Sequence, residues 1–289
     1  MSYRFKANDT SMTDGLRRIA AEEFALIAAA RSDRALAPER KVHEARKGTK
    51  RLRALVRLAA PAFPQARQEI AALREAAGLL SALRDQGALV EALDTLTLPE
   101  GPAPGLRAAL NTDRAVSRAE IKRLLSEFNT RIDAIETRAL GWALTEDGWG
   151  ALSPGLERSY RRLVRAQAAA RQTKSEDDVH DWRKRAKDHW YHTLLLRGAF
   201  PAVMDGYARA AEQVCNDLGD WRDLGLLELA AAKVPAHLLA KPDAEAAGEV
   251  ITLSRRRALR RALRTARRLT SETPHAYSAR LMAWWKLSH

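Results

Sequence analysis

The sequence predicts an all-α fold made of two related halves, and three observations carry that prediction. Ala, Leu, Arg and Glu dominate the 289 residues, all of them good helix formers, while β-branched residues are sparse and strand-like alternation is hard to find. Pro and Gly cluster at intervals long enough to leave helices between them. A stretch of 23 residues, VHEARKGTKRLRALVRLAAPAFP from Val42 to Pro64, returns as VHDWRKRAKDHWYHTLLLRGAFP from Val179 to Pro201, at a constant offset of 137. The copies agree at nine positions: Val42/Val179, His43/His180, Arg46/Arg183, Lys47/Lys184, Lys50/Lys187, Leu58/Leu195, Ala62/Ala199, Phe63/Phe200 and Pro64/Pro201.

Taken in order, DGLRRIAAEEFALIAAA at 14–30 reads as the first helix, and ALAPER around Pro38 ends it. The basic helix that contains His43 follows, up to the APAFPQ break at Pro61 and Pro64. Next comes a Leu-rich segment, GLLSALRDQGALVEAL, around Arg84 and Asp85, closed by LPEGPAPG at 98–105. A last helix carries Arg114, Arg118 and Lys122, four apart. GWALTEDGWGALSPG at 141–155 is the natural midpoint. The second half repeats the order: PGLERSYRRLVRAQAAA at 154–170, the helix of His180, the break GAFP at 198–201, then CNDLGDWRDLGLLELA around Arg222 and Asp223. After KPDAEAAG at 241–248 comes the crowded RRRALRRALRTARR at 255–268. Preserved order across both halves argues for duplication of a helical bundle, about four helices each, within one domain spanning 1–289: 1–145 and 150–289.

Length is compatible with one or two domains and a sizeable core. A formal charge of +13 favours anionic partners: an acidic substrate, nucleic acid or a membrane surface. No apolar run approaches the roughly 20 residues needed to span a bilayer, and the first thirty residues do not resemble a signal peptide. The single Cys215 cannot form an internal disulfide. A soluble, cytoplasmic protein is the expectation.

On a helical wheel, His43, Arg46, Lys50, Arg53 and Arg57 follow the 0, 3, 7, 10, 14 spacing, with Lys47 on the flank. That spacing normally marks an apolar seam. Here the seam is cationic, and Ala45, Leu52, Leu55, Val56 and Ala59 form the apolar face. His180, Arg183, Lys184 and Lys187 take the same positions in the second copy, before Trp190 and Leu194 replace the end of the row. Like charges at these spacings destabilise a helix, and Glu44 and Asp181 point elsewhere on the wheel. An external polyanion is the simpler compensation. One basic helix face alone would read as solvated surface; two at equal spacing, each headed by His, favour an anion site. Metal ligation is not expected, because neither His43 nor His180 has a His, Cys or carboxylate at i+3 or i+4. His189 and His192 lack an acidic companion and read as packing under Trp190 and Tyr191.

His-x-x-Arg at the head of a duplicated basic helix, followed each time by a Leu-rich segment with Arg-Asp, resembles the CHAD family, the conserved-histidine α-helical domains. The likeness covers nearly the whole chain. It is carried by VHEARKGTKRLRALVRL, LLSALRD, VHDWRKRAKDHWYHTLLL and LGDWRD, with the opening YRF and the closing ARLMAWW. The resemblance implies two four-helix bundles related by a pseudo-twofold axis, whose His-headed helices face a basic central cavity or groove. It also implies binding of inorganic polyphosphate, often at polyphosphate granules. Carried onto matching positions, the anion-binding set is His43, Arg46, Lys50, Arg51, Arg53 and Arg57 with His180, Arg183, Lys184 and Lys187. Asp188 and Trp190 stand where many relatives are basic, so the second half contributes fewer ligands.

The chemistry of the residues agrees: phosphate chains demand donors and point charges, which Arg forks and Lys ammonium groups supply. A His near pKa 6.5 adds charge when an anion draws its pKa up. Arg84 and Arg222 either extend the track, oriented by Asp85 and Asp223, or form internal Arg–Asp pairs. Arg17 is a further candidate. The basic last helices read as solvated surface, apart from Arg114, Arg118 and Lys122. Nucleic acid is the first alternative, weakened because the first basic helix interleaves no aromatic residue for base stacking. A phosphatase or a phosphotransfer bundle using His43 or His180 is the second. The basic seam offers no carboxylates to hold Mg²⁺, so non-catalytic binding without a cofactor is the expectation.

Overall fold

A computed structural model describes residues 3–81, 85–98, 102–112, 117–235 and 237–288. All regular structure among them is helical. The helices are α1 (Met12–Ser32), α2 (Pro38–Ala59), α3 (Ala66–Leu79), α4 (Asp85–Asp94), α5 (Pro102–Thr112), α6 (Arg118–Ala139), α7 (Gly148–Thr173), α8 (Glu176–Leu195), α9 (Pro201–Ala231), α10 (Lys241–Leu269) and α11 (Pro274–Ser288). Short 3₁₀ turns follow α2 at Ala60–Ala62 and α8 at Arg197–Ala199, at equivalent places in the two copies.

Local chemistry explains the starts. Ser11, Ser117 and Ser175 each precede a helix and stand three residues before Asp14, Glu120 and Asp178. Each serine hydroxyl accepts from the backbone N–H of that acid, at 3.0, 3.1 and 3.2 Å. An acid in the first turn also complements the helix dipole. α2 and α9 start instead on Pro38 and Pro201, whose missing N–H costs nothing in the first turn. Pro154 lies inside α7 without ending it; the break expected across 141–155 is confined to the segment before Gly148.

α1, α2, α3 and α6 pack around one another, as do α7, α8, α9 and α10. Among the described residues the first half holds six helices where about four are expected. At the repeat offset, α3 and α4 together match the 31-residue α9, and α5 and α6 together match the 29-residue α10. The outer pieces α4 and α5 do not stay with their own half. α4 packs on α9 and α5 on α10, where Leu93 and Leu106 join Leu224, Leu227 and Ile251 in a small separate core. The main core runs continuously through both halves, from Phe24 and Leu52 to Trp182 and Leu259.

α2 and α7 approach so closely that a Cβ on Gly155 would lie 1.8 Å from the Leu58 carbonyl oxygen. The C-terminus of α10 is fixed by two phenols, since Tyr160 and Tyr207 both donate to the Leu269 carbonyl at 2.9 Å. α11 covers α7, with Trp285 against Trp149 and Phe5.

Candidate anion-binding site

The two His-headed helices touch through their C-terminal halves. Arg57 donates through Nη1 to Asp188 Oδ1 at 2.6 Å, and His192 Nε2 lies 3.0 Å from the Ala54 carbonyl. Moving forward on α2 from Ala54 to Arg57 corresponds to moving backward on α8 from His192 to Asp188, so the helices run in opposite senses at the contact. At 1.5 Å per residue, His43 and His180 stand roughly 12–21 Å along their own helices from the residues of that contact. The histidines therefore do not face each other; they head opposite ends.

Arg46 and Arg183 occupy matching surroundings. Arg46 Nη1 donates to the Leu80 carbonyl at 2.7 Å, at the end of α3. Arg183 is buried, and with Lys187 it acts electrostatically on the Cys215 thiol of α9, 137 positions on from Gly78 of α3. α2 packs on α3 and α8, α8 packs on α9, and α9 packs on α4, which follows α3 in the chain. These helices make a circuit.

Both histidines are exposed, and both have pKa values pushed down from 6.5. Desolvation is the largest cause. Arg40, Lys47 and Lys50 add to it at His43, and Lys184, Arg183 and Arg222 at His180, each against an opposing acid, Glu44 or Asp181. Arg53 is half-buried, and its pKa is lowered by desolvation and then by Arg57. Asp188 opposes that shift and Arg74 adds to it. The Arg53 Nε is buried with no hydrogen-bond partner among the described residues. Arg74, exposed on α3, is a site residue that sequence reasoning missed. Its only signal was position, since the offset copy has Ala211 there.

Other predicted residues are turned aside. Lys47 and Arg51 line a cleft of about 260 Å³ against α1, where Arg51 pairs with the buried Glu23 at 3.1 Å and Lys47 lies 3.5 Å from Glu44. Lys184 pairs with Asp181 at 3.5 Å, and Arg185 with the same acid at 3.0 Å. Glu44 and Asp181 thus supply part of the compensation that the wheel had assigned wholly to an external anion. Arg222 donates to Asp223 at 2.8 Å, the internal pair, while still lying in the field of His180. Arg17 donates through Nε to the Trp142 carbonyl at 2.6 Å, which ties α1 to the joint between α6 and α7.

Arg84 and Arg114 lie outside the described residues. Of the expected row of Arg114, Arg118 and Lys122, the described residues place only the last two, both at the start of α6, where Ser117 is the cap and Arg118 the first residue. Arg118 and Lys122 line a cleft of about 640 Å³ with Arg31, Arg34 and Lys41. Asp188, overlooked as a companion to His192, lies in its field. His189 packs among Tyr160, Tyr207 and Tyr277 instead of under Trp190 and Tyr191, and burial pushes its pKa down to about 3. No group of three or more His, Cys, Asp or Glu side chains among the described residues could hold a metal ion, and no helix among them is long and apolar enough to cross a membrane.

Fold and site together define an all-helical protein whose two arginine- and lysine-rich, His-headed helices meet through their C-terminal halves. The chain belongs to the CHAD domain family, whose model matches residues 16–232, from α1 to the end of α9. Membership supports a polyphosphate-related role. No curated protein matches the chain.

Proposed function

We propose that this protein binds inorganic polyphosphate without catalysing its turnover, along one basic track rather than between two facing walls. The track runs from His43 through Arg46, Lys50, Arg53 and Arg57, crosses the contact between α2 and α8, and continues through Lys187 and Arg183 to His180. The packing of α2 on α3 and α8, and of α8 on α9, supports a continuous path for it. Arg222 and Arg74 flank it.

The observation that carries this reading is the environment of Arg53. Its guanidinium is half-buried in the field of two other arginines, its Nε lacks an acceptor among the described residues, and the carboxylate that acts on it, Asp188, is already held by Arg57. A partly desolvated cation in that position is stabilised by an anion supplied from outside. Repeating phosphates supply several at once, in the geometry that guanidinium forks accept. A chain without base edges also explains why the α2 row needs no aromatic partner.

Titration with polyphosphates of graded length, with RNA as competitor, tests the reading. Affinity rises with chain length and falls steeply with salt, because each neutralised phosphate releases counterions. Substituting Arg46, Lys50, Arg183 and Lys187 together by Ala abolishes binding with helicity intact. If long-chain polyphosphate fails to bind at low ionic strength, or RNA displaces it at equal phosphate concentration, the proposal is wrong. Release of orthophosphate would refute the non-catalytic part.

A further inference from the structure

The last turns of α10 carry a second concentration of cations. A cleft of about 760 Å³ between the ends of α7 and α10 is lined by Arg171, Arg260, Arg264, Arg267 and Arg268, together with the neutral Leu263 and Ser271. All five arginines are exposed. α10 is asymmetric. On the side facing α9, Arg261 pairs with Asp217 and Asp220, and Arg255 with Glu176 and Glu228. On the side facing α7, none of the five arginines has an acidic partner among the described residues. Arg260, Arg264, Arg267 and Arg268 crowd like charge at i, i+4, i+7 and i+8, a spacing that destabilises the helix unless an anion is present.

The cleft is separate from the track. α8 packs on α7 and α9, and α10 packs on α9 and α7, so the α7–α10 edge lies across the bundle from the α8–α9 edge. The family match also stops at residue 232, before α10 begins. The lining chemistry narrows the ligand. No aromatic ring is present to serve as a stacking platform for bases. Forked guanidinium donors with no acid among the lining residues suit the oxygens of a phosphate chain.

Resting on the polyphosphate reading above, we propose that this arginine cleft is a second, independent site for a polyphosphate chain. The protein is then bivalent. It holds two short chains separately, or joins two long ones into a network, with avidity set by the spacing of the two sites.

The test uses three variants of the full chain: Arg264→Ala/Arg267→Ala/Arg268→Ala in the cleft, Arg46→Ala/Lys50→Ala/Arg183→Ala/Lys187→Ala in the track, and Arg256→Ala/Arg257→Ala as a control on the same helix outside the cleft. Calorimetry with short polyphosphate should give two chains per native protein and two for the control, but one for each of the other variants. Long chains should turn the native protein turbid, and neither single-site variant. A native stoichiometry of one that the cleft variant leaves unchanged overturns this inference and leaves the track standing. If the track variant keeps both chains, the track reading fails instead. Loss of RNA affinity without loss of polyphosphate affinity in the cleft variant would mark a nucleic-acid surface and overturn the proposal.

Discussion

Replacing Asp188 by Asn sets stability against binding. The Asp188 side chain is 11% exposed and that of Arg57 28%, at 2.6 Å. Removing one charge of a fully buried pair costs about 3–5 kcal/mol, but Arg57 is partly solvated and the amide keeps an acceptor oxygen. The expected loss is about 1–2 kcal/mol. For 289 residues, an unfolding entropy of about 2.1 cal/mol/K per residue gives about 0.6 kcal/mol/K, so the melting temperature falls by roughly 2–3 °C. Binding moves the other way. A phosphate on the far side of the Arg57 guanidinium sits roughly 8 Å from the carboxylate, where repulsion at an effective dielectric of about 20 is about 2 kcal/mol. Screening at about 0.1 M salt halves it to about 1 kcal/mol, so affinity should rise roughly fivefold. Differential scanning fluorimetry and calorimetric titration read the two effects on the same sample. If affinity falls together with stability, Asp188 holds Arg57 in place for the ligand and the neutralisation argument is wrong.

Both exposed histidines have pKa values below 6.5 in the free protein, and a bound polyanion raises them, so binding takes up protons. Affinity should increase as pH falls from 8 through the 6.5 region, and His43→Gln/His180→Gln should flatten that dependence; a flat native profile would remove the histidines from the site. Buried His189 gives stability the opposite trend: it stays neutral in the fold down to about pH 3 while its unfolded counterpart protonates near 6.5. Stability present above pH 6.5 is lost on acidification, by up to a few kcal/mol, and chemical denaturation of His189→Phe should show a shallower acid loss. Gly155→Ala forces α7 away from the Leu58 carbonyl and should cost about 2–4 kcal/mol. Gly219→Ala, with nothing within 4 Å, should stabilise α9 by about 0.5–1 kcal/mol; equal effects at the two glycines in thermal melts would contradict the packing described.

The helices of the core were legible because their signals are local. Ser11, Ser117 and Ser175 cap, Pro38 and Pro201 start, and the repeat offset fixes α2 against α8. The interruption between α3 and α4 was not, because the continuous α9 carries similar residues, LGDWRD against LLSALRD. What decides between one helix and two there is packing on the other half, which no local window contains. At the site, the spacing of His43, Arg46, Lys50, Arg53 and Arg57 identified a cationic face. It did not show how those cations are divided. Glu23 claims Arg51 from α1, Asp188 claims Arg57 from α8, and Arg74 joins from α3, all through contacts distant in sequence.

The lodging of α4 and α5 on the far ends of α9 and α10 makes the two halves hostages to each other. During synthesis the greasy sides of α4 and α5 emerge more than a hundred residues before the surface that covers them. Severed between α6 and α7, each fragment would be left with an orphaned oily strip and would recover its form only by finding its mate. The duplication that the repeat describes thus does not yield two autonomous pieces but a single knitted body.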